Sequence, residues 1–133
     1  MNEEKDNIIL KKSYAFALDV IKLFKELVEQ KEFILSKQLL RCGTSIGANV
    51  HEGVASESKK DFIHKLSIAL KEANETSYWL NLLKDSKCIS LESFRLMIGN
   101  CDELIKILNS IIMTTKQRYF SNIPNSTINI QQS

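Results

Sequence analysis

Apolar side chains return at every third or fourth position along four separate stretches of this chain of 133 residues, and little interrupts them. There are 4 Gly and 1 Pro, and that proline, Pro124, stands near the C-terminal end. Residues three and four apart share one face of an α-helix. A rod that is greasy along one face can hide it only against other rods. The chain is therefore expected to be all-α. Short connections make successive helices antiparallel neighbours, so the expected architecture is an up-down-up-down antiparallel four-helix bundle.

The first pattern runs from about Leu10 to Glu29. One row holds Tyr14, Ala17, Leu18, Ile21, Phe24 and Val28; an adjoining row holds Phe16, Val20, Leu23 and Leu27. A helix packed on one side needs a single stripe. Two rows mean either that this helix lies deep among neighbours or that one row faces another subunit. After a connection near Gln30–Leu35, Ser36 is the expected N-cap of a second helix reaching Glu52 or Gly53. Its apolar face is Leu39, Gly43, Ile46 and Val50. Glycine inside a helix costs about 1 kcal/mol relative to alanine, so Gly43 and Gly47 are read as points of close helix approach.

Ser58, with Asp61 three residues on, resembles a capping box and opens a third helix to about Lys84. Its row is Phe62, Leu66, Ala69, Ala73, Leu80 and Leu83, widened near the end by Tyr78, Trp79 and Leu82. Ser90 is the next cap. The fourth helix carries a heptad through Leu91, Phe94, Ile98, Cys101, Ile105, Leu108 and Ile112. Beyond Arg118 the periodicity dies. Residues 1–118 are expected to form the bundle domain and 119–133 a polar, flexible tail.

Composition narrows the function. With 18 Lys and Arg against 16 Asp and Glu, the net charge of +2 does not by itself announce a nucleic-acid binder. Its distribution is uneven. Between Phe33 and Lys71 the bases Lys37, Arg41, Lys59, Lys60, Lys65 and Lys71 face only Glu52, Glu57 and Asp61. Cys42, Cys88 and Cys101 are odd in number and widely spaced, which suits small buried hydrophobes in a reducing compartment. The opening MNEEKDNIIL is polar and acidic, unlike a secretory leader, and no apolar run approaches the roughly 20 residues of a membrane span. A cytoplasmic location with no membrane partner is expected.

The most informative segment is Gln38 to Gly53. Gln38, Arg41, Ser45, Asn49 and Glu52 recur at spacings of three and four and form a polar stripe beside the apolar face. A merely solvated helix face usually carries more Lys and Glu than Ser and Asn. Arg41 and Glu52 stand 11 residues apart, about 16 Å along the axis, so each needs a partner from another helix or another subunit.

This segment, Gln38-Leu39-x-Arg41 followed by Ser45-Ile46, Asn49 and Glu52-Gly53, resembles the signature of the 23S ribosomal RNA intervening-sequence proteins, also called the four-helix bundle protein family. Ser13-Tyr14-x-Phe16-Ala17 is similar to the family's first helix. Lys60, Phe62, Leu66, Ala69, Glu72, Glu75 and Leu80 are similar to its third. The resemblance covers roughly Leu10 to Met113; His51 and Asn74 depart from the usual pattern. It implies a bundle that assembles into a ring, commonly a homopentamer, linked to insertions in bacterial 23S ribosomal RNA genes. A relative of similar fold joins a reverse transcriptase and binds nucleic acid through a basic surface. In such a ring, Phe16, Val20, Leu23 and Leu27 would be an interface row, together with Gln38, Arg41, Ser45, Asn49 and Glu52. Arg41 would then meet Glu52 or another acid across the subunit border.

There is no phosphate-cradling glycine loop, and His51 and His64 lack the spacing of a zinc site. Ser45 and His51 point about 120° apart on one helix and do not meet. No catalytic residue, metal or cofactor is expected. Lys60, His64 and Lys71 share a helical face with Lys37, Arg41, Lys59 and Lys65 nearby, and these seven are the candidate RNA or DNA contacts. No aromatic residue is read among them, so phosphate contact is favoured over base stacking. The leading expectation is an oligomeric, non-enzymatic protein binding RNA or DNA non-specifically; the alternative is a scaffold for a protein partner alone.

Overall fold

Residues 3–120 are described by a computed structural model, and all four expected helices are present. They are α1 (Glu3–Glu29), α2 (Leu35–Val54), α3 (Lys59–Asp85) and α4 (Leu91–Phe120). Tyr119 and Phe120, expected in the tail, continue α4; the rest of the expected tail lies outside the described residues. No helix among the described residues is long and apolar enough to cross a membrane.

The helix ends have local causes. α1 and α3 stop the same way, each with a lysine in left-handed backbone: Lys31 at φ 64° and Lys87 at φ 62°. After α1, the Glu32 N–H donates to Leu27 O at 2.9 Å and the Lys31 N–H to Val28 O at 2.9 Å. After α3, Cys88 donates to Leu83 O at 2.9 Å and Lys87 to Lys84 O at 3.0 Å. This paired bonding closes the last turn and satisfies carbonyls that would otherwise lack donors.

At the starts, the Ser58 hydroxyl accepts from the Asp61 N–H and the Ser90 hydroxyl from the Ser93 N–H, each at 3.0 Å, as the sequence leads one to expect. Ser36 is a correction. It lies inside α2, and Glu32 does the capping, its carboxylate accepting from Leu35 N–H at 3.1 Å and Ser36 N–H at 2.7 Å. The Ser36 hydroxyl instead donates back to Glu32 O at 2.7 Å.

Packing joins α1 to α2, α2 to α3, α3 to α4 and α4 back to α1, so α1 sits diagonally across from α3. The core is drawn from all four rods, with Phe16, Leu27, Leu39, Ile46, Phe62, Leu66, Leu80, Leu104 and Leu108 among its fully enclosed side chains. The α4 seam runs through Met97, Cys101, Leu104, Leu108 and Ile111. Ile98 and Ile105 of the expected heptad flank it, and Leu91 is exposed.

A second correction concerns α1. Phe16, Val20, Leu23 and Leu27, expected at a subunit interface, are buried inside this one chain. The rival row is the outer one, with Tyr14 68% and Leu18 53% exposed. The glycines of α2 show why. A Cβ at Gly43 would stand 2.7 Å and 2.9 Å from the two γ-carbons of Val20, and one at Gly47 would stand 3.2 Å from the Ser13 carbonyl oxygen. α1 therefore seats the row of Ser13 and Val20 on the bare backbone of α2, which the bulk of Tyr14 would prevent.

Candidate functional site

The polar stripe of α2 faces α3 and finds its partners there. Arg41 reaches across to Glu75 and, at 3.4 Å, to Glu72, while Gln38 accepts a further bond from it at 3.4 Å. Glu75 also accepts from the Trp79 indole N–H at 3.1 Å. One carboxylate thus holds an arginine of α2 and a tryptophan of its own helix. Eleven residues along α2, Glu52 pairs with Lys65 at 3.4 Å. Both acids that hold Arg41 belong to the same chain, while its side chain stays 50% exposed. Ser45 donates to Arg41 O at 2.6 Å and Asn49 to Ser45 O at 2.9 Å, so both side chains are engaged within α2.

These pairs divide the seven candidate nucleic-acid contacts. Arg41 and Lys65 are held by carboxylates. Lys37, Lys59, Lys60, His64 and Lys71 are exposed and form no ion pair among the described residues. Lys60, His64 and Lys71 lie on the outer face of α3 in a row with Ser67 and Asn74, and Lys59 sits at the same end as Lys60. Lys37 stands one turn before Arg41, so antiparallel pairing puts it level with the Tyr78–Trp79 end of α3.

That row continues to a residue the sequence reading placed in the apolar arc. Tyr78 follows Lys60 by 18 residues, five whole turns, and points the same way. It is 59% exposed. Its ring meets Trp79 edge-on, with centroids 5.2 Å apart and planes at 75°. An aromatic ring therefore does stand among the basic residues. The seven-residue step from Lys71 was the available signal.

A second surface lies on the far side of the bundle. Tyr14, Ala17 and Leu10 of α1 border a shallow groove with Thr44, Ala48 and His51 of α2. No Lys, Arg, Asp or Glu side chain lines it. Ile21, Phe24 and Val28 carry the apolar row onward, half-buried.

The cysteines offer no ready nucleophile inside the bundle. Burial pushes the Cys42 thiol up, and burial, aided by the nearby Asp102 charge, pushes the Cys101 thiol up to about 12. Among the described residues, no group of three or more His, Cys, Asp or Glu side chains is placed to hold a metal ion.

Comparison with known proteins supplies the lineage. No curated protein matches the chain. A crystal structure of a protein of unknown function from the S23 ribosomal protein family of Bacteroides thetaiotaomicron VPI-5482 is 52% identical, with a TM-score of 0.81. The likeness covers 82% of this chain and 98% of that one. The family model described as 23S rRNA-intervening sequence protein matches residues 5–110. That span takes in the α2 stripe, its α3 partners and the basic row, and the chain belongs to the 23S rRNA-intervening sequence protein family.

Proposed function

We propose that this protein is a non-enzymatic scaffold that associates with copies of itself and carries nucleic acid on its outside, held by the phosphate backbone. The observation that carries the reading is the outer row of α3, where Lys60, His64 and Lys71 recur on one exposed face with no acid between Lys60 and Tyr78 in that row. Cations without carboxylate partners are available to displace the counterions of a polyanion.

The diagonal arrangement of the bundle supports both halves of the reading. Association through the α1–α2 face around Tyr14 and Ala17 would leave α3 pointing outward. Each added copy, up to the five of a pentameric ring, would then repeat the same row and strengthen the field around it. The interior supports a role outside catalysis. The buried hydroxyls of Ser13, Ser36, Thr76 and Thr115 each donate to a backbone carbonyl three or four residues earlier, so these four are engaged in holding the helices.

Anisotropy of a labelled mixed-sequence RNA, titrated with protein at several salt concentrations, tests the proposal. Binding should weaken steadily with salt, with a slope of roughly 0.7 per phosphate engaged on a single strand. Lys60→Glu with Lys71→Glu should abolish it. No binding at low salt would remove the nucleic-acid role. The second reading, a scaffold for a protein partner alone, is favoured by the exposure of Tyr14 and Leu18 and would then stand in its place. Light scattering that reports the mass of a single chain would remove the assembly.

A further inference from the structure

We infer that the nucleic acid taken by this face is single-stranded, and that Tyr78 is the platform on which an unpaired base stacks at one end of the basic row. The inference rests on the nucleic-acid reading above and adds the ligand's strandedness. From Lys60 to Tyr78 the row is 18 residues long, about 27 Å at 1.5 Å per residue. That length suits the short sites, from about 4 nucleotides upward, over which single-strand binders combine a cationic track with aromatic rings.

Exposed tyrosines are common, and exposure alone makes no site. Three features set Tyr78 apart. It lies in line with the cations and not beside them. Its ring is braced and still 59% exposed: Trp79 meets it edge-on at 5.2 Å, and Trp79 is itself fixed by its 3.1 Å bond to Glu75. Bracing lowers the entropy that ordering a side chain costs on binding.

The third feature is electrostatic. The acids of α3 nearest the row, Glu72 and Glu75, are drawn toward α2 by Arg41, so that their charge is compensated where a phosphate would pass. Asp85 lies past the tyrosine and pairs with Lys84 at 3.6 Å. Asp61 lies beside Lys60 in the first turn, so the Tyr78 end is the less acidic approach. A duplex keeps its bases stacked on each other and along its length offers Tyr78 base edges but no base face. An unpaired base offers a face.

The test compares a single-stranded oligonucleotide with its own duplex, at one salt concentration, on the full chain and on Tyr78→Ala and Tyr78→Phe. The single strand should bind more tightly than the duplex. Tyr78→Ala should weaken single-strand binding by about 5- to 100-fold, the range seen for loss of one base-stacking ring, while duplex binding and the salt slope stay unchanged. Tyr78→Phe should restore it. The position is exposed, and an unchanged far-UV spectrum with unchanged duplex binding controls for folding. Salt-sensitive binding that ignores strandedness and Tyr78→Ala would overturn this inference and leave backbone binding intact. No binding to either form, by any variant, would overturn both.

Discussion

Gly43→Ala and Gly99→Ala make the same chemical change in two helices with opposite surroundings. Around Gly99 a new methyl would meet nothing within 4 Å. At Gly43 it would lie 2.7 Å and 2.9 Å from the γ-carbons of Val20. Val20 is fully enclosed, and a β-branched side chain in a helix has one strongly preferred rotamer, so it has little room to turn away. Replacing glycine by alanine inside a helix gains about 1 kcal/mol at either site. Forcing a methyl into a filled core costs about 1–3 kcal/mol. Gly99→Ala should therefore be more stable than the parent by about 1 kcal/mol, and Gly43→Ala less stable than Gly99→Ala by about 1–3 kcal/mol. The helix contribution cancels in that difference, which isolates the collision. Urea unfolding at one fixed protein concentration reads it as a shift in midpoint at constant slope. Adding Val20→Ala to Gly43→Ala should recover part of the loss, a coupling that a double-mutant cycle measures directly. If the two alanine variants agree within about 0.5 kcal/mol, the reasoning fails. α1 would then not rest on α2 through the row of Val20, and the outward placement of Tyr14 and Leu18 would fall with it.

Other perturbations bear on separate parts of the structure. Lys31→Gly and Lys87→Gly should each raise stability by up to about 1 kcal/mol, because a side chain at positive φ is strained and glycine is not; thermal unfolding checks this. Ser58→Ala should lose about 1 kcal/mol with its cap, and Glu32→Ala a similar amount although Glu32 lies outside α2, as thermal melts would show. Alkylation of the native protein should label Cys88, which is half-buried, and spare Cys42 and Cys101 until urea opens the bundle, as peptide mass mapping would show. Because burial lifts the Cys101 thiol from 9.0 to about 12, an unfolded chain ionises it first as pH rises. Stability should accordingly fall from about pH 9 toward pH 12, and less steeply in Cys101→Val, when urea midpoints are compared across that range.

The four rods were legible because periodicity is local information. Each segment carries its own three-four spacing, and the capping serines Ser58 and Ser90 mark two starts within a residue. What the sequence left open was the angle at which a rod is turned. In α1 two adjoining rows compete, and the more continuous apolar one, through Tyr14, Leu18 and Ile21, is the outer one, with Tyr14 and Leu18 exposed and Ile21 half-buried. The buried row includes Ser13, whose hydroxyl is satisfied by Leu10 O at 3.3 Å. Hydropathy counts a serine as a defect there. Packing treats it as an advantage, because a short side chain that bonds to its own helix lets two backbones meet at Gly47. The deciding facts belonged to α2, and reading α1 alone does not contain them.

The surface followed a different logic. A row of like charges is visible in the sequence, but which members keep their charge available depends on neighbours about 30 residues away. Arg41 looked like a contact and is instead held by Glu75 and Glu72, 34 and 31 residues on. That loss has a consequence beyond one cation. If Arg41 were replaced by a neutral side chain, two carboxylates on adjoining turns of α3 would regain their unbalanced charge beside Lys71 and Tyr78, and a polyanion approaching that end would meet repulsion. Arg41→Gln should therefore weaken RNA binding without removing any group that touches RNA. The same weakening should disappear when Glu72→Gln and Glu75→Gln are added. A direct contact by Arg41 predicts the opposite, a defect that persists whether or not the acids are present, so the triple variant separates an arginine that grips the ligand from one that clears its path.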